Sequence, residues 1–157
     1  VYWIPAAIFL AHIAEEYRRF PEWATRHFGA TSRAWYVYSH LPLVAASIAI
    51  CGWAQAAPPR TTWPFLATSL QWILATNALF HLGTTIRFRE YSPGVVTGLV
   101  LFLPATAYLL ARTLREDLLS SFQVVMALGS GSIVGALVIA SLWLPMNLDW
   151  KLRRIRG

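Results

Sequence analysis

The chain has 157 residues, of which 57% are hydrophobic and 13% charged, about half the roughly 25% charged content of soluble globular chains. Seven acids and thirteen bases, a formal net charge of +6, cannot cover a soluble domain that also carries eight Trp and eight Phe. These figures exclude a disordered tail, a disulfide scaffold and a typical cytosolic enzyme, and they point to an all-α integral membrane bundle as a single domain.

A membrane-crossing helix needs about 20 mostly apolar residues. Five such runs occur in chain order: 1–17, 34–57, 63–86, 94–111 and 122–146. Between them lie a basic loop (18–33), a Pro-rich turn (56–62), an Arg/Glu/Pro/Gly turn (87–93) and a charged turn (112–121), with a basic tail at the end. The runs are long and continuous, without the ten-residue alternation of a barrel, so helices are expected. No basic stretch precedes the first run, which ends in His and Glu, so it does not read as a cleavable signal peptide. Cys51 is alone in an apolar run and reads as a packing residue.

Five crossings put Arg18, Arg19, Arg26, Arg33, Arg87, Arg89, Lys151, Arg153, Arg154 and Arg156 on one side, and only Arg60, Arg112 and Arg115 on the other. The positive-inside rule then places the ten-base side and the C-terminus in the cytoplasm, with a bacterial inner membrane as the expected location. The same reading assigns the basic charge to topology and anionic lipid headgroups, with no nucleic acid partner. Trp35, Tyr36, Tyr38, Trp63, Trp143 and Trp150 fall near the ends of runs, as an aromatic belt would. In the fifth run Ala127, Gly131 and Gly135 recur every four residues. They form a small-residue face suited either to a protein partner or second copy, or to close packing within the chain.

Ionisable residues inside apolar runs carry the functional signal. His12 and Glu16 are four apart and share a helix face, with Glu15 about 60° away. Asn77 and His81 share a face in the third run, and Tyr36 and His40 in the second. His12 and His81 each precede a flanking arginine by six residues, and His40 follows one by seven. At 1.5 Å per residue, all three imidazoles lie about 9–10 Å inward of the same face. Glu15 and Glu16 lie one turn shallower. The 87–91 turn roofs this layer, and Thr97 lies one turn into the next helix. Two readings stand: interfacial groups paired with Arg18, Arg19, Arg87 or Arg89, or a buried polar site.

Imidazole and carboxylate suit one Zn, Fe or Mn ion, with His12, Glu15, Glu16, His40 and His81 as candidate ligands. The spacing differs from the HExxH of zinc proteases, and four histidines are too few for the multi-histidine di-iron membrane desaturases. A metal-free alternative has one of two adjacent buried carboxylic acids as general acid and a histidine as base. His27 beside Arg26 reads as a solvated loop residue, Glu22 as facing solvent, and Glu116 and Asp117 as a turn balancing Arg112 and Arg115.

His12-Ile13-Ala14-Glu15-Glu16, then Asn77-Ala78-Leu79-Phe80-His81, then Tyr91-Ser92-Pro93-Gly94 with Thr97, together resemble the HXXEE-domain family of small bacterial polytopic membrane proteins. The resemblance runs from His12 into the fourth run. It implies a compact helical membrane domain and roles for His12, Glu15, Glu16, Asn77, His81, Arg89, Pro93 and Gly94, without implying an activity.

The leading expectation is an enzyme of the cytoplasmic leaflet acting on a lipophilic small molecule as an isomerase, cyclase or hydrolase. His12, Glu15, Glu16, Asn77 and His81 are its catalytic candidates. Arg87, Arg89, Tyr91 and Thr97 are its substrate-binding candidates. The alternatives are a non-catalytic membrane subunit or assembly factor and, third, a proton or metal-ion transporter.

Overall fold

The computed structural model describes residues 1–29 and 31–143. The secondary structure of the described residues is helical throughout: α1 (Ile4–Glu16), α2 (Phe20–His27), α3 (Arg33–Ala56), α4 (Thr62–Phe88), α5 (Val95–Arg115) and α6 (Ser121–Ala140), joined by turns, with a 3-10 turn at Ser141–Trp143. Three helices are long and apolar enough to cross a membrane: Arg33–Ala56, Val95–Arg115 and Ser121–Trp143. The end of the fifth expected run, through Met146, and the tail bases Lys151, Arg153, Arg154 and Arg156 lie outside the described residues, as does Trp150.

Two expectations change. The first run is a helix of 13 residues, about 20 Å long at 1.5 Å per residue and short of the roughly 30 Å hydrocarbon core. The basic loop 18–33 contains a helix, α2, opened by Pro21 in its first turn. Phe20, Pro21, Trp23 and Ala24 of α2 are buried, while Glu22 and Arg26 face outward. Its residues cluster with Tyr36 of α3 and with Phe80 and Phe88 of α4. His27 is therefore not a free loop residue. It stacks on Phe88, ring centroids 3.9 Å apart, and its Nε2 is 2.6 Å from Glu90.

α4 is the centre of the bundle, and its composition explains why. Its buried positions include Ala67, Thr68, Ser69, Gln71, Ala75, Ala78, His81 and Thr84. Small side chains let neighbouring helices approach, and polar ones are satisfied only inside protein. Gln71 Nε2 donates to Thr106 Oγ1 at 2.8 Å and to the Phe102 carbonyl at 3.2 Å, tying α4 to α5.

α5 contains a π-helical turn at Gly98–Phe102, where the Leu103 N–H reaches the Gly98 carbonyl five residues back. Pro104 follows immediately. Proline cannot donate to the carbonyl four residues before it, and a wider turn accommodates its ring. Gly98 lies against Ala78, so the turn sits at a close approach of α4 and α5: an added Cβ would be 3.1 Å from the Ala78 Cα.

The Ala127/Gly131/Gly135 face of α6 packs inside the chain, against α4. A Cβ at Gly131 would lie 2.7 Å from the Ser69 carbonyl oxygen, and one at Gly135 would lie 2.9 Å from Thr76 Cβ. Ser69–Ser130 and Trp72–Ser132 hydrogen bonds flank this contact. The face expected to suit either a partner or the same chain is thus occupied by the same chain.

The helices alternate in direction. At one end the Val1 amino group donates to Gln55, and the 57–61 turn meets the 116–120 turn through the Arg60–Asp117 pair. At the other end α1 meets the 91–97 segment, Arg26 meets Glu90, and Phe28 meets Trp143. Asp117 thus pairs with Arg60, leaving Arg112 to Glu116. Gly131→Val is expected to lower stability by about 1–3 kcal/mol through overpacking against Ser69. Gly129→Ala, which meets nothing within 4 Å, is expected to be neutral or slightly stabilising. Thermal denaturation in detergent micelles checks both.

Candidate metal centre

Glu16 is 3% exposed at the end of α1, among groups from three helices. Its Oε1 lies 3.1 Å from His81 Nε2 and 3.5 Å from His12 Nε2. Its Oε2 accepts the Tyr36 hydroxyl at 2.8 Å and lies 3.9 Å from His40 Nε2. The expected layer of His12, His40 and His81 is real, and Glu16 is its centre. His12 and His81 are buried with it, whereas the His40 side chain is 19% exposed and stacks on Tyr36.

The outward nitrogen of each ring faces an oxygen. The Thr97 hydroxyl lies 2.7 Å from His12 Nδ1 and 3.3 Å from the Gly94 carbonyl. His40 Nδ1 is 2.7 Å from the Tyr36 carbonyl, which can only accept. His81 Nδ1 is 3.0 Å from Ser92 Oγ, itself 3.1 Å from Thr84 Oγ1. With each Nδ1 beside an oxygen, Nε2 is the ring nitrogen that faces Glu16 in all three. His81 Nε2 is buried and makes no hydrogen bond among the described residues.

His12, Glu16 and His81 each offer one donor atom, all within 4.8 Å of one another. Adjacent ligands on an ion with bonds of about 2.0–2.1 Å are separated by about 2.9 Å in an octahedron and about 3.3 Å in a tetrahedron. The carboxylate-to-imidazole distances of 3.1 and 3.5 Å lie close to that range. Metal-bound histidines commonly anchor their second nitrogen to an oxygen, as both do here. These residues could hold a divalent ion.

Glu15 does not join the three. Consecutive helical residues point about 100° apart, and Glu15 is turned to the start of α5. It accepts the backbone N–H of Gly94 at 3.0 Å, Val96 at 3.2 Å and Thr97 at 2.7 Å, and the Tyr91 hydroxyl at 2.5 Å. A carboxylate there satisfies orphan helix donors and complements the helix dipole. Tyr91 and Thr97, expected to bind substrate, are thereby engaged in holding Glu15 and His12. Arg87 and Arg89 are exposed, and neither pairs with an acid among the described residues. The arginine-paired reading of the layer therefore gives way to a buried site closed by imidazoles.

Gly94 is required on two grounds. Its φ is +105°, a conformation that side chains rarely adopt. A Cβ there would stand 2.6 Å from His12 Cε1 and 2.8 Å from His81 Nε2. The 92–94 loop is thus a backbone wall against both rings. Phe102 closes the His12 side, with ring centroids 4.6 Å apart, and Phe20 of α2 faces His81 at 5.9 Å.

Several residues escaped the sequence reading. Tyr36 was assigned to an aromatic belt, yet it is 1% exposed and bonds Glu16. Its spacing of four from His40 was the available signal. Ser92 and Thr84, which orient His81, have no periodic signature, because their contact depends on how the loop returns over α4.

A family model described as proteins of unknown function with an HXXEE motif matches residues 3–109. The chain belongs to this HXXEE family. No curated protein and no solved structure matches it.

Gly94→Ala is expected to push both imidazoles away from Glu16 and to lower the melting temperature, read by thermal denaturation in detergent. Tyr91 provides a pH test. Burial, and then its bond to Glu15, push its hydroxyl up to about 12. Because the folded value exceeds the ordinary value of about 10, the contact's contribution is complete below that pH and is lost as pH rises through about 12. Phenolate absorbance of the wild type minus Tyr91→Phe should show this late titration.

Proposed function

We propose that the protein is an integral membrane metalloenzyme holding one divalent ion, Zn, Fe or Mn, on His12, Glu16 and His81 near the cytoplasmic face. The observation that carries this reading is the convergence of two buried imidazole Nε2 atoms on one buried carboxylate oxygen. Two unprotonated Nε2 atoms facing an anion in an apolar interior are stable only with a cation between them. The donor set of two imidazoles and a carboxylate is one that borderline divalent metals take, with positions left for water or substrate.

Helix direction supports the location. α1 runs from the Gln55 end to the Gly94 end, and α3 runs in the opposite sense from Tyr36 beside Glu16 to Gln55. Among the described residues, Arg18, Arg19, Arg26, Arg33, Arg87 and Arg89 fall at the site's end, against Arg60, Arg112 and Arg115 at the other. The positive-inside rule makes the site's end cytoplasmic. A lipophilic small molecule reaching the site from the bilayer is the proposed substrate class. An ion there would polarise a substrate oxygen or lower the pKa of bound water, which suits hydrolysis or isomerisation.

A metal-free acid/base reading has one observation of its own. A proton on His81 Nε2 would also bridge to Glu16 across 3.1 Å. Elemental analysis of protein purified without chelators separates the two. The metalloenzyme reading expects about one ion per chain in the wild type and loss of that ion in His81→Ala and Glu16→Gln. A wild type free of bound metal that also takes up no added Zn²⁺, Fe²⁺ or Mn²⁺ overturns it in favour of the proton.

A further inference from the structure

Asn77 of α4 stands on the same side of His12 as the proposed ion. Its Nδ2 lies 2.9 Å from His12 Nε2. When His12 Nδ1 donates to Thr97, Nε2 is the acceptor and the amide N–H donates to it. A cation on that lone pair is incompatible with this arrangement. The N–H dipole would point its positive end at the ion from within a ligand's distance of His12.

Rotating the amide by 180° removes the conflict. It brings Oδ1, a hard oxygen donor, to the place now held by Nδ2. That place is 2.9 Å from His12 Nε2, the edge expected between neighbouring ligands of an ion with bonds of about 2.0–2.1 Å. From this geometry we infer that Asn77 is a fourth ligand, which turns its carbonyl oxygen onto the ion when the site is loaded. The inference rests on the metal reading above. It completes a set of two imidazole nitrogens, one carboxylate oxygen and one amide oxygen from α1 and α4 alone.

The amide also bears on affinity. A neutral oxygen donor adds no charge, so the filled site keeps one positive charge from a divalent ion and one carboxylate. An aspartate at position 77 would cancel that charge and bind a divalent ion more tightly. A leucine keeps the bulk, removes the donor and leaves His12 Nε2 uncapped.

The test is competitive chelator titration of the full chain in detergent with Zn²⁺ alone, comparing wild type, Asn77→Leu, Asn77→Asp and His81→Ala. The expected results are a Kd raised on the order of 10- to 100-fold in Asn77→Leu, a Kd at or below wild type in Asn77→Asp, and no stoichiometric binding in His81→Ala. Co²⁺ spectra of the first two should differ in ligand field, and melting curves show whether each variant is folded. Zn²⁺ binding by a folded Asn77→Leu with wild-type Kd and an unchanged Co²⁺ spectrum overturns the ligand role while leaving the three-residue site intact. If Asn77→Leu does not fold, weaker Zn²⁺ binding by a folded Asn77→Asp than by wild type overturns it instead. Wild type that binds no Zn²⁺ here, and no Fe²⁺ or Mn²⁺ in parallel titrations, overturns the metal reading itself.

Discussion

The burial of the Glu16 carboxylate is the constraint on which the rest of the site depends. A carboxylate removed from water inside an apolar bundle is strongly destabilising unless hydrogen bonds and positive charge surround it. Tyr36 supplies the hydrogen bond from α3, and His12 and His81 face it from α1 and α4. The imidazoles in turn are held from behind by Thr97 and Ser92, on the segment that begins α5. Four helices thus converge on one oxygen pair, so a cation there bears on helix packing as well as on chemistry.

The two consecutive glutamates divide two tasks by the 100° between them. Glu16 faces the imidazoles, while Glu15 gathers three backbone N–H groups at the start of α5. That second contact positions Gly94, whose lack of a side chain lets the backbone close against both rings. An HxxEE spacing therefore encodes both a site and the clasp that builds its wall. The π-helical turn after Thr97 continues the same logic. It absorbs Pro104 and keeps Gly98 against Ala78, so Thr97 stays in reach of His12.

The common level of the three histidines was legible in the sequence, and the composition of the site was legible only in part. Distances of six or seven residues from flanking arginines put three histidines at one level, because helical rise is constant. Rotation about each helix axis is not set by such counts. It was decided by packing: His81 is turned fully inward, and His40 is turned to the edge, stacked on Tyr36. Helical spacing put Glu16 on the His12 face and Glu15 about 60° away, yet left both as candidate ligands for the same reason. The fold shows a parallel difference. The basic stretch 18–33 read as loop, but Phe20, Trp23 and Ala24 find an apolar surface on α3 and α4, and burial makes a helix of it.

By itself the sequence determined an all-helical chain with long apolar runs, scarce charge, and His, Glu and Asn residues set within those runs. Those properties follow from composition, run length and helical rise, which need no knowledge of neighbours. Only the tertiary structure decided which donors meet. It turned Glu16 to the histidines and Glu15 to the helix end, directed the arginines outward, and enclosed the α6 glycines against α4. The physical reason is that each of these choices depends on contacts between residues far apart in the chain. The cost of an unpaired buried charge selects among them only once the helices are assembled.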